Sequence, residues 1–166
     1  MTASPGTTLA GMDDYQQVRE VLARYVRATD HRDGAAMAAL FEPDATVVIN
    51  FHNAGQPEQL ASLSGAEAIG AAVAGMMKPH PPRGWSHHTT HDHIIEVTGD
   101  EATMDAQLVV FNSVSLERPA TGWPAGTAGA QGTVTPIESG YYRTRLRRTA
   151  GRWLIQHHAI DAATPY

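Results

Sequence analysis

Residues 13–30 read DDYQQVREVLARYVRATD, and the reading of the fold turns on that stretch. Val18, Val21, Leu22, Tyr25, Val26 and Thr29 recur at the i, i+3, i+4 spacing of a helix buried on one side. Asp13 or Asp14 can cap its start, so the spacing predicts a helix over residues 13–29. Asp30 continues the buried stripe at the helix C-terminus, where the macrodipole disfavours a negative charge. Burial and the dipole both work against the ionised form there. A carboxyl poised in this way, with Tyr25 about a turn and a half before it, is a candidate general acid or base.

Working outward, Asp33-Gly34 breaks the chain, and Asp33 can cap a short helix over residues 35–41 that buries Met37, Leu40 and Phe41. Pro43-Asp44 reads as a turn. The β-branched run ATVVINF, residues 45–51, reads as a strand, and residues 52–59 as a loop. Ser64-Gly65-Ala66-Glu67 has capping-box spacing and opens a third helix over residues 66–77, with Ile69, Val73, Met76 and Met77 inward. The proline-rich KPHPPRG, residues 78–84, is a connector that cannot be helical. Strands are expected over residues 85–98, 101–116, 141–148 and 153–160, with turns at Gly99-Asp100 and Ala150-Gly151. Residues 117–136 are rich in Gly, Ala, Thr and Pro. They read as a long loop, a lid or an interface arm.

Three helices followed by a curled, largely antiparallel sheet make an α+β architecture. A helix packed in the concave face of that sheet forms a cone with one interior pocket, lined by Tyr25 and Asp30. The expected organisation is a flexible N-terminus, residues 1–12, and a single domain over residues 13–161.

Composition narrows the function. The chain has 166 residues, 42% hydrophobic and 17% charged, with a net charge of −5. That is an ordinary globular balance, and the acidic excess argues against nucleic acid as a partner. Arg143, Arg145 and Arg147 alternate on one face of a strand and read as a solvated row. There are no cysteines, so thiolate chemistry is excluded. No apolar run reaches membrane-span length and no signal peptide is evident, so a cytoplasmic location is expected.

Proton abstraction beside a carbonyl needs a base near the carbon and a donor near the oxygen. Asp30 and a histidine can exchange the proton, and Tyr25 can donate without ionising. Leu22, Val26, Phe51, Trp85 and Val110 are candidate apolar walls. Asn112, Tyr142 and His157 are further polar candidates for substrate binding.

A metal is the rival. His87, His88, His91, Asp92 and His93 crowd one strand, and alternation puts His87, His91 and His93 on one face. Three neutral imidazoles can ligate zinc or iron, although His87 and His91 are far apart on a straight strand.

The run RYVRATDHRDGAAMAALFEPDATV, residues 24–47, then SGAEAI (64–69), SHH (86–88) and GYYRTRLRRTAGRWLIQHH (140–158) resembles the SnoaL-like branch of the nuclear transport factor 2-like superfamily. The resemblance implies an α+β cone, commonly a homodimer or higher homo-oligomer. It also implies relatives such as polyketide cyclases, scytalone dehydratase, bile-acid dehydratases and ketosteroid isomerase, several of which work without a cofactor. It places Asp30 and Tyr25 among pocket acid/base and hydrogen-bonding groups, with His87 or His88 as the pocket histidine. His88 is the preferred match. The expected activity is a cofactor-free lyase or isomerase on a hydrophobic carbonyl compound. The alternatives are a non-enzymatic pocket protein and a His-ligated metal enzyme.

Overall fold

In the computed structural model, which describes residues 13–164, the apolar stripe becomes helix α1 (Asp14–His31). The expected flexible N-terminus, residues 1–12, lies outside the described residues. Asp13 caps α1, its Oδ1 accepting from the Gln16 N–H at 2.8 Å. Val18 and Leu22 are fully buried, and Tyr25, Val26, Thr29 and Asp30 follow them inward. Arg32 ends the helix in the left-handed region, φ 55°. Asp33 caps the short α2 (Gly34–Ala38), and α3 (Ala66–Gly75) packs against it.

Six strands form one mixed, curved sheet. They are β1 (Phe41–Asn53), β2 (Gln56–Ser64), β3 (Gly84–Thr98), β4 (Glu101–Ser115), β5 (Gly132–Thr149) and β6 (Arg152–Ala162). Their order is β2-β1-β6-β5-β4-β3, antiparallel except for the parallel β1–β6 pair. Each of the five pairings carries a register irregularity. Bulges of this kind strengthen twist and bend the sheet. α1 lies against β3 and β6, and its stripe meets the inward rows of the strands, including Leu108, Leu146 and Ile155. No described helix is long and apolar enough to cross a membrane.

The strands run further than their apolar patterns. Phe41 opens β1 instead of closing a helix, and Pro43-Asp44 sits inside that strand at the break in its β6 pairing. Residues 56–59, expected as loop, begin β2. This edge strand is almost wholly exposed and therefore has no buried alternation to read. β5 starts at Gly132, which shortens the expected long loop. The hairpins turn at Ala54-Gly55 and Ala150-Gly151, both with positive φ at each residue, as type I′ turns need. At α3 the capping box does not form: Gly65 holds the cap position without a side-chain bond. Met76 lies beyond the helix end and is 78% exposed, whereas Ile69 is buried as expected.

α2 and α3 touch at two glycines. A Cβ at Gly34 would stand 2.5 Å from the carbonyl oxygen of Gly70, and one at Gly70 would press on the carbonyl oxygen of Gly34. Alanine ordinarily stabilises a helix interior by about 0.8–1.0 kcal/mol over glycine, but overpacking costs about 1–3 kcal/mol. Gly70→Ala should therefore lower stability, by up to about 2 kcal/mol. Gly75→Ala, where nothing lies within 4 Å, should be neutral or better. Urea denaturation of the two variants checks the sign at each position.

Candidate active site

Asp30 is the last buried residue of α1, 8% exposed. Its Oδ1 accepts twice from one residue of β3. The backbone N–H of His88 stands at 3.0 Å and His88 Nδ1 at 2.7 Å. With Nδ1–H as donor, Nε2 of His88 keeps its lone pair. His87 is the lesser partner. Its side chain is 52% exposed, against 11% for His88, and its Nδ1 lies 3.9 Å from Oδ2.

His80, in the proline-rich connector, completes the set. The Ser86 N–H donates to its Nδ1 at 3.0 Å, so the ring proton sits on Nε2. That Nε2–H donates to the Asp30 carbonyl oxygen at 2.9 Å. A helix-terminal carbonyl without an intrahelical partner thereby finds one. Trp85 stacks on His80 with centroids 4.2 Å apart and meets the His31 ring edge-on at 5.3 Å. Ser86 Oγ donates to Asn112 Oδ1 at 2.8 Å. In the sequence, residue 80 reads only as part of a connector. The signal available was a histidine between prolines, close before the His87-His88 pair.

Tyr25 belongs to a second set. Its ring meets Tyr142 at 5.5 Å, Phe41 at 6.3 Å and the His158 ring at 4.5 Å. Burial pushes the Tyr25 phenol far above its ordinary value. A hydrogen bond with Thr29 works the other way, and the Glu138 carboxylate adds to the rise. Glu138 was not anticipated. It pairs across from Val110, itself opposite His88, and so shares their inward row. The Gly/Thr/Pro-rich run before it hid the strand that carries it.

These sets lie on one fold that known proteins share. A family model described as a SnoaL-like domain matches residues 10–159. The chain belongs to the SnoaL-like family. No curated protein gives a significant match. Among solved structures, an NTF2-like protein with a cystatin-like fold from Novosphingobium aromaticivorans is 23% identical, with a TM-score of 0.61 over 91% of this chain and 81% of that one. A variant of a protein of unknown function from Mycobacterium tuberculosis is 22% identical at a TM-score of 0.61, over 90% of this chain and 71% of that one. A proposed dehydratase of the NTF2-like family from Streptomyces avermitilis is 17% identical at a TM-score of 0.56, over 92% and 96%. At these identities the likeness establishes the α+β fold.

Two expectations for this SnoaL-like domain change with the strand register. His157 turns to the opposite face of β6, where its Nδ1 bonds Thr46 Oγ1 at 2.8 Å; the inward residue is His158. The pairing of β6 with β5 slips just before His157, which pattern reading could not see. The histidine trio also separates. Asp92 takes a φ of 51° and the β3–β4 register shifts between His91 and Ile94. His91 stays exposed beside Asp92, while His93 turns half-buried toward Thr90. Among the described residues no three His, Asp or Glu side chains converge as a metal site. Of the remaining candidates, Asn112 and Trp85 adjoin His80 and Ser86, and Tyr142 joins Tyr25. Phe51 is half-buried on β1 across from Ala162 and joins neither set.

His158 is fully buried. Its Nδ1 bonds Thr144 Oγ1 at 2.9 Å, and its Nε2 has no partner among the described residues. Burial lowers its pKa from 6.5 to about 3, with His157 pushing the same way. The unfolded chain then binds a proton that the folded chain refuses. This contribution to stability is present above pH 6.5 and is lost as pH falls toward 3. The slope is about 1.4 kcal/mol per pH unit. Urea midpoints followed from neutral pH into that window should fall less steeply for His158→Phe than for the unaltered protein. Equal slopes would mean that the folded chain accepts the proton.

Proposed function

We propose that this protein is a cofactor-free lyase or isomerase that moves protons on a hydrophobic carbonyl compound of polycyclic or polyketide type. One observation carries the reading: the 2.7 Å bond between His88 Nδ1 and Asp30 Oδ1 leaves Nε2 as a base oriented by a buried carboxylate. Membership of the SnoaL-like family and the likeness to a proposed dehydratase support an enzyme-like role.

Dehydration of a hydroxyl β to a carbonyl is the favoured reaction. His88 Nε2 takes the α-proton, and the C–H electron pair moves into the enolate. Asp30 holds the imidazolium that forms. The enolate then expels the β-hydroxyl, which leaves as water with the proton returned from His88. Tyr25, kept neutral by burial, donates to the carbonyl oxygen as it gains charge. Asn112, Trp85 and Tyr142 are the proposed substrate neighbours, and Asp30, His88 and Tyr25 the proposed catalytic residues. Double-bond migration or ring closure begins from the same enolate.

The test is turnover of a panel of polycyclic and polyketide-like β-hydroxyketones, read as loss of water by mass spectrometry. Asp30→Asn and His88→Ala should each lower kcat by about 10²–10⁴ on a compound that is turned over. Tyr25→Phe should cost about 10²-fold. Full turnover in both dyad variants would sink the mechanism. A compound that binds Asp30→Asn as tightly as the unaltered protein and is never converted would mark a binding protein instead.

A further inference from the structure

A groove of about 500 Å³ runs between α1, α2 and the β5–β6 turn, and Asp30, His88 and Tyr25 are not part of it. Its floor is apolar. Val21, Ala28, Leu40 and Trp153 line it, each less than a tenth exposed. Its rim is charged, and the partners of those charges decide what it can hold. Glu20 is occupied by Arg24, four residues on. Asp33 Oδ1 accepts from the Ala36 N–H at 2.9 Å, capping α2. Arg27 and Arg152 are exposed, and neither forms an ion pair among the described residues; Arg152 makes one long bond, 3.4 Å, to the Ala39 carbonyl. The Nε1–H of Trp153 is buried and has no partner among the described residues.

We propose that this groove is a second ligand site, separate from the dyad, for a small hydrophobic carboxylate. An acyl or aromatic body covers the apolar floor, and the carboxylate meets the guanidinium heads of Arg27 and Arg152. Guanidinium matches a carboxylate in charge and in its forked donor geometry. The Trp153 side chain adds to the apolar floor that the body of the ligand covers. The volume falls within the roughly 300–1,000 Å³ of ordinary small-molecule sites. Apolar walls with a few polar groups are also their usual make-up.

Calorimetric titration of the full chain with decanoate, and with decanol as the neutral counterpart, tests the proposal. Decanoate should bind one site, weaken with salt, and bind at least about tenfold tighter than decanol. Arg27→Glu combined with Arg152→Glu should weaken decanoate by about tenfold or more. Both residues are exposed, so the fold should tolerate the change. Ala36→Leu, which narrows the groove and keeps its charges, should weaken decanoate and decanol together. His88→Ala should leave decanoate affinity unchanged. No binding of decanoate, equal affinity for the two compounds, or indifference to the arginine reversals would overturn the site. Loss of binding in His88→Ala would instead place the ligand beside the dyad.

Discussion

A carboxylate sits at the end of α1 with 8% exposure, and much of the molecule is arranged around that fact. A buried charge costs several kcal/mol unless donors surround it, and a helix C-terminus supplies carbonyls, not donors. The donors come from β3. That strand is an edge of the sheet, so alternate backbone N–H groups on its open side have no neighbouring strand. The N–H groups of Ser86 and His88, two residues apart, are bound instead by His80 and Asp30. The edge and the carboxylate resolve each other. The connector before β3 is drawn in because His80 must reach both Ser86 and the Asp30 carbonyl.

This arrangement explains which parts of the site were legible. The inward direction of Asp30 follows from helical spacing, which nothing interrupts between Asp14 and His31. His88 was preferred over its neighbour by resemblance, and the register of β3 with β4 is regular from Gly84 to His91. Past that point a single residue with positive φ, Asp92, resets the alternation, and His93 falls on the other face. His157, expected to face the pocket, turns away for the same reason, at the slip between β5 and β6. Periodicity of two survives only as far as the next irregularity, and this sheet has one in each pairing.

The fold shows the same division. Helices with a buried stripe, and strands with a buried face, announced themselves. β2 and the first third of β5 did not, because they bury almost nothing: their order comes from backbone pairing with β1 and β4. Backbone pairing leaves little trace in side-chain type. Glu138 was missed as a consequence, since its inward direction depends on a strand whose start carries no apolar alternation. Composition is read without register: charge balance and the absence of cysteine are the same in any fold.

Whether the Asp30–His88 pair is a clamp or a proton relay can be argued from what each half requires. The clamp needs a donor at the open edge of β3, and the backbone N–H at position 88 provides it whatever the side chain. The ring is a separate matter. A second donor to Oδ1 could come from a serine or an asparagine, which would leave no basic atom behind. Imidazole satisfies the carboxylate through Nδ1 and still presents a lone pair at Nε2. His80 offers the contrast: both of its nitrogens are engaged, one by Ser86 and one by Asp30, and its ring is stacked on Trp85. Two histidines thus hold the same aspartate. One is engaged at both nitrogens, and the other retains a nitrogen that has no partner among the described residues.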